Sequence, residues 1–228
     1  MSLLARMRRS GLRRFSRRSD KHREELAYWR GRRDDEGRLS NTHYEHYYTT
    51  AFGLTKQEYA GKRVLDVGCG PRGTLEWADV AQERVGLDPL VPDYAELGID
   101  RHAMTYVAAG AEDIPFPDRH FDIITTFNAL DHVDDVDAAI GGITRVAALG
   151  AICLLLVEVN HAPTATEPHN LSWDLLDRFV GWQVLEEGRV AMDDQHNIYR
   201  SWERKAPWQS GPGVLGAKLE RTEQPAAP

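Results

Sequence analysis

The sequence predicts an α/β protein, a three-layer sandwich on a mostly parallel seven-stranded sheet with an antiparallel pair at its C-terminal edge. Three observations carry this. The stretch KRVLDVGCGPRGTLEWA, residues 62–78, puts a branched apolar run ahead of a glycine turn and a helix-like segment, as in a strand covered on both faces. Short apolar runs then alternate with helical patterns as far as the wholly apolar residues 151–157. Residues 182–189 and 197–203, joined through Asp193, Asp194 and Gln195, read as the antiparallel pair.

In chain order, residues 1–39 form a basic arm, 40–205 the main domain and 206–228 a flexible tail rich in Pro and Gly. Residues 1–33 hold 12 Lys or Arg against 3 acids, a net of +9, which leaves −16 for the remainder of a chain whose total is −7. Leu3, Leu4, Met7 and Phe15 fall loosely on one side of the arm if it is helical, a pattern compatible with attraction to anionic lipid or nucleic acid. Its Arg-rich, acid-free start also matches an organelle transit segment. The plainer alternatives are a solvated arm or a helix packed on its own acidic body. An acidic body disfavours nucleic acid as the main substrate.

Residues 20–37 are charged and helical in part, with Trp29 as the large apolar anchor. His43, Tyr44, His46, Tyr47 and Tyr48 crowd together behind a cap at Ser40 or Asn41. Strands follow at 63–67, 84–88, 105–108, 121–127 and 151–157, with helices expected at 74–80, 93–97, 136–148 and 171–180. Two cysteines, Cys69 and Cys153, give neither a disulfide framework nor metal spacing, so they read as packing residues of a reducing, cytoplasmic compartment. No apolar run nears the roughly 18 residues that span a bilayer, which leaves peripheral contact through the arm as the membrane option.

The turn itself carries the chemistry. Gly68, Gly70 and Gly73 match G-x-G-x-x-G, a spacing shared with dinucleotide enzymes. Asp66, two residues before the first glycine, would repel a pyrophosphate and attract a donor bearing an ammonium and a sulfonium. Asp88 ends the next apolar run 20 residues after Gly68, where a carboxylate can accept both hydroxyls of a ribose.

On these residues the sequence resembles the class I, Rossmann-like S-adenosylmethionine-dependent methyltransferases of the small-molecule branch. The resemblance runs from Tyr44 to Lys205, with VLDVGCGPRG similar to the first motif, RVGLDP to the second and residues 110–133 to the third and fourth. It implies S-adenosylmethionine as cofactor, with Gly68 and Gly70 against its methionine moiety and Asp88 on its ribose. It also implies that the segment before the first strand folds over the cofactor, making Tyr44 and Tyr48 candidates for contact. One departure stands out: the family often has an Asp four residues before Ile114, where this chain has Gly110, so Glu112 or backbone groups take the adenine contact.

Ligands bind outside the carboxyl ends of such strands, so Asn128, Asp131 and His132 after the fourth strand should meet Glu158, Asn160 and His161 after the fifth, with Glu167 and His169 shaping the pocket. Asn128 is assigned to the cofactor side. His132 and His161 are the candidate bases for a hydroxyl acceptor, imidazole having the suitable titration range, and each also reads as a cap or backbone partner. Asp131, His132, Glu158 and His161 could together hold magnesium, but no spacing demands an ion, and none is expected. The expected partner is a small-molecule acceptor, a hydroxyl on a sugar or lipid-linked glycan. The rival classes are a nucleotide-dependent oxidoreductase and an inert binding module on the same fold.

Overall fold

The computed structural model describes residues 3–41 and 44–222, and side chains from residue 20 onward within those ranges. Helix α1 spans Leu3–Glu36 and the one-turn α2 spans Glu45–Tyr48. Strands β1 (Arg63–Val67), β2 (Glu83–Leu87), β3 (Thr105–Val107), β4 (Phe121–Phe127) and β5 (Ala147–Val159) pair in parallel, with α3 (Val91–Tyr94) and α4 (Val136–Val146) in the connections. Then come β6 (Trp182–Ala191), α5 (Ile198–Arg204) and β7 (Gly213–Arg221), giving the sheet order β3-β2-β1-β4-β5-β7-β6.

Alternation along the strands divides the core between the two faces of the sheet. Leu65 and Val67 of β1 join Cys153, Leu155 and Val157 of β5 in the cluster that includes Ile140 and Ile143 of α4. Val64, Leu154 and Leu156, one residue out of phase, join Phe52, Tyr59 and Trp202 in the other. A third, smaller cluster seats Leu26 and Trp29 of α1 against Leu90, Tyr94 and Leu97.

The predicted fold class therefore holds, with the antiparallel pair built differently. β7 comes from the expected flexible tail and inserts between β5 and β6, antiparallel to both. Alternating residues Leu215, Ala217 and Leu219 are fully buried; the run looked tail-like because small residues and glycines dilute its hydropathy. The expected strand at 197–203 is α5, whose N-cap Asn197 accepts from the amide of Arg200. Its Trp202 packs flat on the sheet because Gly188 and Gly216 leave room; a Cβ would lie 2.5 and 2.4 Å from the indole.

Two expected helices are absent. Residues 74–80 form successive turns, too few positions between Gly73 and β2 to recover the cost of helix nucleation. Of residues 171–180, Leu175–Arg178 makes one 3-10 turn, while Trp173 leaves to stack edge-on against Trp208. Behind α2, Tyr44 occupies the N-cap position with no side-chain capping bond, so neither Ser40 nor Asn41 caps it; His43 lies outside the described residues.

The second half of α1 packs on the acidic body. Arg30 donates to Glu96 at 2.5 Å, and Arg72 reaches back to both carboxylate oxygens of Glu36 at 2.9 and 2.7 Å. The apolar side assigned to Leu3, Leu4, Met7 and Phe15 falls where side chains are not described. Among the described residues, no helix is long and apolar enough to cross a membrane.

Candidate active site

Because β1, β2 and β4 are parallel, the loops at their carboxyl ends open on the same side, and they enclose a cavity of about 480 Å³. Its floor is the glycine turn. Gly68, Gly70 and Gly73 have φ of 73°, 55° and 70°, backbone that residues with a Cβ rarely adopt. The missing side chains also admit protein: a Cβ on Gly68 would sit 2.4 Å from that of Ala129, and one on Gly70 would meet the Trp29 ring at 3.0 Å.

Asp66 lies beneath the turn, 2 % exposed, and accepts from the hydroxyls of Thr74, Thr125 (2.6 Å) and Tyr48 (3.3 Å). It ties the turn, β4 and α2 together while facing the cavity with a negative field. Burial pushes its carboxyl up to about 6 against the pull of those three hydroxyls. Asp88, also buried, accepts from the amides of Gly70 (3.1 Å) and Leu90 (2.9 Å). Burial, and then the charge of Glu25, push it up to about 7. The Tyr94 hydroxyl bonds to it as well, and the carboxylate lines the cavity with acceptor capacity left for a ligand hydroxyl.

Glu112 lines the cavity beside Gly110. Its Oε1 accepts from the amides of Asp134 (2.8 Å) and Asp135 (3.3 Å), while Oε2 lies 2.7 Å from where a Cβ on Gly110 would stand. The carboxylate folds back into the space that a side chain at 110 would fill.

The roof was legible in the sequence at Tyr44 and Tyr48 and hidden elsewhere. Lys21, Glu25 and Trp29 of α1 line the cavity, with Tyr44 and Tyr48 beside them and Tyr199 closing the far side. The Arg72 guanidinium stacks over Trp29 at 5.6 Å. Trp29 was visible as an anchor, but nothing in a single charged helix says which face meets a pocket. Tyr199 was missed because residues 197–203 read as a strand.

Asn128, at φ 53°, ends β4 and lines this cavity and a second one of about 610 Å³. The second is walled by Glu158, Asn160, His161 and Glu167, with His196 shared between the two. Loop 160–170 is pinned there: His169 Nε2 donates to the Val133 carbonyl at 2.8 Å, and the Asn160 amide to Leu171 at 2.7 Å. His132 Nε2 stands 4.0 Å from Asp131 and 3.8 Å from Glu167. His161 donates from Nδ1 to the Ala162 carbonyl at 3.0 Å, leaving its buried Nε2 without a partner. The structure thus brings all the proposed site residues to two adjoining cavities, Asp66 to Asn128 and His132 around the first and His161 in the second.

A family model described as a methyltransferase domain matches residues 65–155, which span β1 to β5 and carry the turn, Asp88, Glu112, Asn128 and His132. The chain is 30% identical over 148 residues to a demethylmenaquinone methyltransferase of Thermobifida fusca, covering 60% of this chain and 57% of that one. Together with the fold, these matches support a class I, Rossmann-like S-adenosylmethionine-dependent methyltransferase. It is also 40% identical over 89 residues to a ubiquinone/menaquinone biosynthesis C-methyltransferase of Shewanella piezotolerans, 38% of this chain and 34% of that one. The chain thus spans about a third to just over half of these curated relatives. Its fold matches that of a Burkholderia thailandensis 1,6-didemethyltoxoflavin-N1-methyltransferase with bound S-adenosylhomocysteine, with a TM-score of 0.58, 15% identity and coverage of 89% and 87%.

S-adenosylmethionine is the cofactor these matches support, and the geometry of the first cavity suits it. The glycine turn keeps its left-handed backbone, Asp88 has acceptor capacity left where ribose hydroxyls would fall, and Glu112 offers an acceptor beside Gly110. Lys21, Arg32 and Arg72 also line the cavity, and both arginines are paired with Glu36.

Proposed function

We propose that this protein transfers a methyl group from S-adenosylmethionine to a small-molecule acceptor seated in the second cavity, the acceptor being a hydroxyl on a sugar or lipid-linked glycan. The observation that carries this reading is the junction at Asn128 and His196, where a polar, acid-and-histidine-lined cavity opens onto the cofactor cavity. When bound, the cofactor supplies an electrophilic methyl on a sulfonium.

The chain's own residues do the remainder. Asp66, Gly68 and Gly70 position the donor side, with Asp88 on the ribose and Glu112 on the adenine. Trp29, Tyr44 and Tyr48 exclude water over the turn, which strengthens every electrostatic contact beneath them. Glu158, Asn160 and Thr164 supply hydrogen bonds that orient a polyhydroxylated acceptor. His161, its Nδ1–H committed to the Ala162 carbonyl, keeps Nε2 as the acceptor for the hydroxyl proton. His132, bracketed by Asp131 and Glu167, is the second basic group in reach.

The relatives' names favour a second reading, an acceptor of the quinone type methylated at carbon. Either acceptor can be lipid-bound, which suits a cytoplasmic enzyme with peripheral membrane contact through its basic arm.

The test is incubation of the purified chain with donor labelled at the methyl group and three acceptor pools: nucleotide sugars, extracted lipid-linked glycans and reduced quinone precursors. Alkali-stable label attached through oxygen to a sugar supports the first reading. Label on a ring carbon replaces it with the second. Absence of label in every pool, with donor bound, would leave the inert module.

A further inference from the structure

The junction of the two cavities holds a set of donor atoms with nothing to bind. Asp131 is fully buried, and both its carboxylate oxygens lack a hydrogen-bond partner. His132 presents Nε2 to that carboxylate at 4.0 Å and to Glu167 Oε1 at 3.8 Å, and its Nδ1 is buried without a partner as well. One ligand atom from each of Asp131, His132 and Glu167 can be chosen so that all lie within 4.8 Å of one another.

This is an expensive arrangement as it stands. A buried carboxylate normally receives two or more hydrogen bonds, and leaving it bare costs more than any surface acid. Glu158 adds a third, mostly buried acid close by. Among the described residues, the ion-pair partners of Asp131, Glu158 and Glu167 are all histidines. Two carboxylates and an imidazole converging on one point with free lone pairs describe a divalent-cation site better than a packing accident.

The surroundings hold the donors in place. The Thr164 hydroxyl donates to Glu167 Oε2 at 3.3 Å, leaving Oε1 to face His132. His169 ties loop 160–170 to Val133, one residue beyond His132. The spacing is also near what an ion needs: tetrahedral donors about 2.1 Å from a metal stand about 3.4 Å apart, so these would close by at most roughly 1.4 Å.

We propose that Asp131, His132 and Glu167 bind one divalent first-row metal ion, of the manganese or zinc type, at the mouth of the acceptor cavity. An imidazole ligand selects such ions over magnesium. The site deepens the reading above and rests on it for its purpose: an ion there would hold the acceptor's oxygen and ease loss of its proton to His161. Metal binding, however, can be measured without any acceptor.

Full-length protein is dialysed against chelator and titrated with cobalt(II) and, separately, manganese(II). The expected result is saturation at one equivalent, with a visible cobalt band showing nitrogen and oxygen ligation. Glu167→Gln, on a partly exposed loop, and His132→Gln should each weaken binding by about 100-fold or more, by analogy with the loss of ligand support in known sites. Near-ultraviolet circular dichroism, expected to match the parent in both variants, shows that they remain folded. Absence of saturable cobalt binding, or binding that both variants retain at full affinity, would overturn the site. Metal bound at one equivalent without turnover on any acceptor would uphold the site and refute the reading above, while turnover in excess chelator without metal binding would do the reverse.

Discussion

Replacing Asp88 with asparagine should move stability and donor affinity in opposite directions. The Asp88 carboxyl titrates at about 7 in the folded protein against an ordinary 3.8, because it is buried first and faces Glu25 second. Between those two pH values the folded state holds more protons than the unfolded chain, so stability declines as pH rises from about 4 to about 7. The displacement, about 3 pH units, is worth about 4 kcal/mol at pH 8. Asparagine removes this cost but has one acceptor oxygen for the two amides of Gly70 and Leu90, which returns about 1 kcal/mol.

The variant should therefore be more stable than the parent by about 3 kcal/mol at pH 8, with the advantage shrinking toward pH 4. Its donor affinity should fall about 30-fold, since a bond to a charged acceptor is worth about 2 kcal/mol. In the parent, affinity should rise with pH through about 7 as Asp88 ionises. Urea unfolding at pH 5 and pH 8 and calorimetry with S-adenosylmethionine read both effects. A variant destabilised at pH 8 with donor affinity intact would refute the assignment of Asp88 to a buried, ligand-holding carboxylate.

Three further outcomes follow from the packing. Tyr48→Phe removes a hydroxyl that stabilises the Asp66 carboxylate, so the acid limb of the donor-binding profile should move up by roughly a few tenths of a pH unit from about 6; a profile unmoved in calorimetric titrations across pH 5 to 8 would show that Asp66 does not face the donor. Gly216→Ala drives a Cβ to 2.4 Å from Trp202 and should cost about 1–3 kcal/mol in chemical unfolding with donor affinity unchanged. Truncation after residue 206 removes β7, the partner of β5 along Ile152–Val159, and should abolish the near-ultraviolet circular dichroism of the folded core; a truncated chain with native signal would contradict the sheet order.

The first five strands were legible because each is a dense apolar run ending in punctuation: Val64 and Leu65 before Asp66, or Leu154 to Val157 before Glu158. β7 was not, because GVLGAKLER mixes glycines and charges that become intelligible once β5, β6 and Trp202 surround it. α5 was misread for the opposite reason. Its IYRSWER is rich in strand-forming Ile, Tyr and Trp, although Ile198 and Trp202 stand four apart as on a helix face, and the Asn197 cap that settles the matter is one of backbone geometry.

The site divides in the same way. Asp66, Gly68, Gly70 and Asp88 could be read because their spacing along one β-α-β unit fixes their positions in space. The hydroxyl partners of Asp66 could not: Thr74, Thr125 and Tyr48 lie on three different segments. The same holds for Asp131, His132 and Glu167: the first two were weighed for magnesium with Glu158 and His161, while Glu167 was read as a pocket wall. Their meaning lies in the unsatisfied atoms they share, and no spacing in the chain reports satisfaction.

The account turns on which molecule the first cavity accepts. Calorimetric titration of the unmodified chain with S-adenosylmethionine at pH 8, repeated with NAD, decides it most directly. One equivalent of the sulfonium compound should bind, displaced by its demethylated product, and NAD should give no heat. Saturable binding of NAD, with S-adenosylmethionine silent, would contradict the account at its root.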